Sequence, residues 1–116
     1  MDKLNEYRAC VEEVLKWYGD FKPREWEEYE RQLIFDRERD HYQVVDVGWN
    51  YPNRIHDCLV HLDIKDGKIW VQQDMTDPGV VGRLMERGVP KEDIVLAFHA
   101  PYKRPYTGFA VGEEAR

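Results

Sequence analysis

At 116 residues, the chain suits one domain spanning 1–116 and is long enough to bury a core without metal or disulfide staples. Its 42% hydrophobic and 34% charged content sets it apart from a disordered chain. With 17 basic against 23 acidic residues, its net charge of −6 argues against a generic DNA-coating protein, which needs lysines and arginines to displace counterions from phosphates.

The opening MDKLNEYRACVEEVLKWYGD predicts an amphipathic helix. Leu4, Tyr7, Val11, Val14, Leu15 and Tyr18 recur at three- and four-residue spacing and make one apolar stripe. Asp2 is the expected N-cap, and Gly19 the expected left-handed terminator. FKPREWEE reads as a connector. YERQLIFD and HYQVVDVGW read as strands joined by the polar turn RERD, and RIHDCLVHLDIK as a third strand after the turn NYPN. KIWVQQ is a fourth, joined through Asp66-Gly67, the strongest short hairpin signal because both turn residues need positive φ. TDPGVVGRLMERG then changes period. Asp77 is the expected N-cap, Pro78 the first helical residue, and Val80, Val81, Leu84 and Met85 the buried face, with Gly88 ending the helix. VPKEDIVLAF predicts a turn and a short fifth strand, and HAPYKRPYTGFAVGEEAR an irregular tail. The fold class is α+β: an N-terminal helix, a four-stranded antiparallel meander, a second helix, a short fifth strand and an irregular C-terminal tail. Helices cover one sheet face, and the other is solvated or meets a partner.

Asp63, Ile64 and Lys65 spell D-x-K, half of a nuclease metal site. Alternation puts Val60, Leu62 and Ile64 on the core face and His61, Asp63 and Lys65 on the other, where a two-residue turn sets Asp63 opposite Trp70 and His61 opposite Gln72. A nuclease needs a second carboxylate near Asp63 to hold a divalent metal. Asp57, on the same strand, is about 20 Å away at ~3.3 Å per residue, and Asp46 approaches in only one register. The charged outer face of a hairpin is the simpler reading. In FDRERDH, Asp36, Glu38, Asp40 and His41 are of metal-ligating type, but Arg37 and Arg39 alternate with the acids and neutralise them, so a charged turn is expected there, not a metal site. His56, His61 and His99 lack metal-ligand spacing, and no Ser-His-Asp or Cys-His grouping can be proposed. No catalytic residue, metal ligand or cofactor is therefore assigned.

Cys10 and Cys58 suit free thiols in a reducing cytosol, and no secretory leader or membrane-spanning apolar run is read, so a cytoplasmic protein without membrane contact is expected. Aromatic residues exceed what one small core encloses. In HAPYKRPYTGF, Lys103 and Arg104 lie among Tyr102, Tyr106 and Phe109, a mixture that suits protein contact or stacking on nucleic-acid bases.

The segments MDKLNEYR, QLIFDRERDHYQVVDVGW, HLDIKDGKIWVQQD and GVPKEDIVLAFHAPYKRPYTGFAV together resemble the XisI family, the fdxN element excision controlling factor proteins of cyanobacteria. The resemblance implies a role in excising a DNA element during heterocyst differentiation, beside a XisH-like protein partner, with no assigned catalytic residues. It favours a non-enzymatic regulatory subunit, with His61, Asp63, Trp70, Gln72, Tyr102, Arg104 and Tyr106 as the expected partner-binding residues and DNA contact indirect or weak. A homodimer would use the same residue types. The alternatives are a direct DNA-binding excision factor, an antitoxin-like regulator of a nuclease-like partner, and, last, a metal-dependent nuclease at Asp63 and Lys65.

Overall fold

The computed structural model describes residues 2–20 and 24–112. Helix α1 runs Lys3–Gly19, and Asp2 caps it as expected, its carboxylate accepting the Leu4 N–H at 3.0 Å. Tyr7, Val11, Val14, Leu15 and Tyr18 make the buried stripe. The helix ends differently from expectation. Gly19 is not left-handed, and Asp20 closes the last turn in the right-handed region, its N–H donating to the Lys16 carbonyl at 3.0 Å. Gly19 serves close packing instead: a Cβ there would lie 2.8 Å from the Leu33 side chain. The connector's residues 21–23, and residues 113–116 of the tail, lie outside the described residues.

Strands β1 (Glu28–Asp36), β2 (His41–Asn50), β3 (Asn53–Lys65) and β4 (Lys68–Asp74) form the antiparallel meander. Strand β5 (Ile94–Leu96) adds parallel to β4, giving the order β1-β2-β3-β4-β5. The turns fall where expected. Asp36 accepts the N–H groups of Glu38 and Arg39, both at 3.0 Å, and Asp66 and Gly67 adopt φ of 54° and 75°. Two β-bulges interrupt the register. One leaves Leu59 extra, between the pairs Val44–Val60 and Val45–Cys58; the other leaves Gln72 extra, between His61–Gln73 and Leu62–Val71.

Helix α2 runs Val80–Glu86, starting later than expected. Gly79, not Asp77, is the N-cap residue, and the Asp74 carboxylate at the end of β4 accepts the Val80 N–H at 2.7 Å. Val80 and Leu84 are buried and Val81 packs at the core margin, but Met85 is exposed, because a helix this short presents a narrower apolar face. Gly88, with φ of 95°, follows as expected. One apolar cluster joins both helices to Tyr42, Val44, Val60, Leu62, Ile64, Ile69, Val71 and Ile94 of the sheet.

Polar clasps border this core. The Tyr7 hydroxyl donates to Asp93 at 2.5 Å and Lys3 reaches the same carboxylate at 2.8 Å; burial and this carboxylate push the Tyr7 phenol up. Arg8 makes a two-pronged contact with Asp40 at 2.8 and 3.1 Å, and the Tyr42 hydroxyl adds 2.9 Å. The Arg8 hydrogen bond, helped by that from Tyr42 and opposed by burial, holds the Asp40 carboxyl below its ordinary value. A carboxyl depressed in the folded state stabilises above its unfolded pKa of about 3.9 and loses that contribution as pH falls through the folded value. Urea unfolding of the natural chain and Asp40→Asn should therefore differ by a constant margin from pH 7 to about 5, and the margin should shrink below about pH 4. Asn tolerates the φ of 60° at this position, so a margin that stays flat to pH 2 would mean that the ion pair contributes nothing.

The C-terminal segment is more ordered than an irregular tail implies. Short 3-10 turns span Lys91–Asp93 and Pro101–Tyr106, and Ala110 bridges to Val95 beside β5, its N–H donating to the Ile94 carbonyl at 2.9 Å. The segment covers Trp70, on the face away from the helices, so only the remainder of that face is open.

Candidate functional site

The β2–β3 bulge decides what the open face presents. The two-residue link Tyr51-Pro52 pairs Asn50 with Asn53, and unbroken alternation from there would set His41 opposite Leu62. The extra residue Leu59 shifts the register by one, so His41 stands opposite Asp63. The Ile64 N–H donates to the Asp40 carbonyl at 3.0 Å, which makes His41–Asp63 a non-hydrogen-bonded pair, the kind in which side chains approach closest. One Asp63 oxygen meets His41 Nδ1 at 2.8 Å and His61 Nε2 at 2.9 Å, while Gln72 Nε2 donates to the other at 3.1 Å. Gln72 is the extra residue of the second bulge, and His61 stands opposite Gln73, not the expected Gln72.

The expected contact residues divide into two groups. His61, Asp63 and Gln72 come together in this half-buried cluster. Tyr102 and Tyr106 are 71% and 88% exposed and offer contact area. Trp70 and Arg104 are not exposed as expected. Trp70 retains 6% exposure and Arg104 9%. The Trp70 indole N–H donates to the Lys65 carbonyl at 3.1 Å, Lys65 lies 4.5 Å from its ring and Arg104 5.6 Å. Arg104 turns inward, donating to the carbonyls of His99 and Ala97 at 3.0 and 3.2 Å. Their polar edges are satisfied within the chain, which is why aromatic and basic composition did not translate into exposure.

The D-x-K reading does not gain its second carboxylate from Asp46. That residue lies five positions along β2 from His41, roughly 16 Å at ~3.3 Å per residue, and binds Arg31 at 2.7 and 3.0 Å. Lys65 is engaged with Trp70. Burial raises both cysteine thiols, consistent with unreactive sulfur at Cys10.

A second region escaped the sequence reading. At the far end of the β2–β3 ribbon, Trp49 and Tyr51 stack at 5.5 Å, and Arg54 lies 5.4 Å from the Trp49 ring. With Trp26, Glu27, Tyr29 and Asp57, the stacked Trp49 and Tyr51 border a cleft of about 650 Å³. The signal was the W-N-Y run at the hairpin tip, where a turn leaves aromatic rings little to pack against.

The XisI protein family profile matches residues 1–111. The chain belongs to the XisI family. Two solved structures resemble this XisI-family chain throughout. A XisI-like protein from Anabaena variabilis is 48% identical, covers 94% of this chain and 99% of its own, and superposes with a TM-score of 0.88. The fdxN element excision controlling factor XisI from Anabaena variabilis is 36% identical over 96% of this chain and 100% of its own, with a TM-score of 0.83. Among curated proteins, no sequence matches. The XisI fold thus accounts for the α+β architecture expected from the sequence. Among the described residues, no helix is long and apolar enough to cross a membrane.

Proposed function

We propose that this protein is a non-enzymatic accessory factor in excision of an fdxN-type DNA element, acting in the cytoplasm through a XisH-like protein partner. The observation that carries this reading is end-to-end similarity to an fdxN element excision controlling factor. The site chemistry agrees with it. The lysine of the D-x-K motif is held by an indole, and Asp46, the candidate second carboxylate, by Arg31. Exposed Tyr102 and Tyr106 supply rigid amphipathic area of the kind that anchors protein contacts, next to a sheet face that the helices leave uncovered.

Coexpression with a XisH-like protein, followed by size-exclusion chromatography with light scattering, should give one co-eluting complex. Tyr102→Ala with Tyr106→Ala should weaken it at least tenfold, about 1.4 kcal/mol, while leaving the melting temperature unchanged. Separate elution of the two natural chains would overturn the partner assignment, and an undiminished complex with the double variant would overturn the contact site. Direct DNA binding is the weaker reading, because Arg104 spends its guanidinium on backbone carbonyls and Lys103 is left without it. It predicts steeply salt-dependent DNA affinity, where the partner reading predicts none in the isolated chain.

A further inference from the structure

We propose that His41, His61 and Asp63 form a binding site for a divalent first-row transition ion of the zinc class. Their ligand atoms lie within 4.8 Å of one another, on two adjacent strands. A divalent ion at about 2.1 Å from each ligand needs donor atoms roughly 3.0–3.4 Å apart. The two contacts to Asp63, at 2.8 and 2.9 Å, lie a few tenths of an ångström inside that spacing, and the two imidazole nitrogens, within 4.8 Å of each other, would close toward it as an ion binds. His41 is more than half exposed and free to turn, and the close cross-strand pairing already delivers it to Asp63.

The donor chemistry selects the ion. Two imidazole nitrogens and one carboxylate oxygen suit zinc, nickel or cobalt; calcium and magnesium prefer all-oxygen sets. The outer contacts are also those of a metal site. Gln72 Nε2 holds the second Asp63 oxygen at 3.1 Å and so fixes the orientation of the carboxylate. Three protein ligands leave a fourth tetrahedral position to solvent. The site arises from the bulge at Leu59, which costs a ladder position and brings His41, rather than Asp40, opposite Asp63. This proposal does not depend on the partner reading and stands or falls separately.

The test uses the purified full chain, stripped with chelator and titrated with zinc by calorimetry and with cobalt by visible absorption. One ion per chain is expected, with a cobalt spectrum of nitrogen and oxygen ligation. His41→Ala and Asp63→Asn should each weaken binding at least tenfold, while His99→Ala, far along the chain, should not. Zinc should raise the melting temperature of the natural chain and of His99→Ala but not of His41→Ala. His41 is exposed, so its variant should fold, and circular dichroism checks this. Absence of stoichiometric binding, or binding that survives both His41→Ala and Asp63→Asn, would overturn the proposal and leave the trio as hydrogen-bonded side chains only.

Discussion

Trp70→Ala is expected to lower unfolding free energy in urea by about 3–5 kcal/mol, the cost of removing a buried aromatic side chain from a site that cannot collapse. The loss has three parts. The ring is nearly enclosed, its N–H holds the Lys65 carbonyl, and the C-terminal segment is fitted to it. Gly112 shows how tightly. Its φ is 83°, and a Cβ there would stand 2.5 Å from the end of the indole ring. Removing the indole deprives Arg104 and the strip around Ala110 of the surface on which they rest, so residues 97–112 should become protease-sensitive in the variant. A cost below about 1 kcal/mol, within the range of ordinary surface substitutions, would mean that the segment does not depend on Trp70.

The second large effect is expected at Asp46. Both oxygens bind Arg31, at 2.7 and 3.0 Å, and each side chain is only 12% exposed. Arg31 also donates to the Tyr18 carbonyl, at 3.4 Å, near the end of α1. Asp46→Ala takes the carboxylate from a poorly solvated guanidinium and should cost about 2–4 kcal/mol, the lower part of the range allowing for residual solvent. Asp46→Leu with Arg31→Met should recover most of that loss, since replacing both members of a pair leaves no uncompensated charge. Equal losses in the single and double variants would place the effect in packing instead of charge.

The elements were legible because their periods are clean. The three- and four-residue spacing from Leu4 to Tyr18 became α1, and Asp66-Gly67 became a hairpin turn, because both are local signals that tertiary contacts reinforce. What resisted reading depends on contacts distant in sequence. The cap of α2 comes from Asp74, six residues before Val80, with Asp77 bypassed. The bulges at Leu59 and Gln72 leave no mark in an alternating pattern, yet the first decides that His41 meets Asp63, and the second frees Gln72 to reach the same carboxylate. His41 was read with its sequence neighbours in FDRERDH, where Asp36 serves the turn and Asp40 binds Arg8. Trp70 was placed on the correct face, since alternation holds from the Asp66-Gly67 turn as far as the bulge. Its burial depends on residues more than thirty positions later, and no period in the sequence announces that.

The clasp of Lys3 and Tyr7 on Asp93 has a consequence for the order of assembly. It joins residues 86 and 90 positions apart, and closing so long a span is slower than forming hairpins between neighbours. The hairpins of the meander therefore form before the C-terminal strand docks, and until it does β4 is an unprotected edge. During that interval the chain carries a sticky margin, and its risk of joining a neighbour is set by the speed at which residues 75–96 fold back along β4.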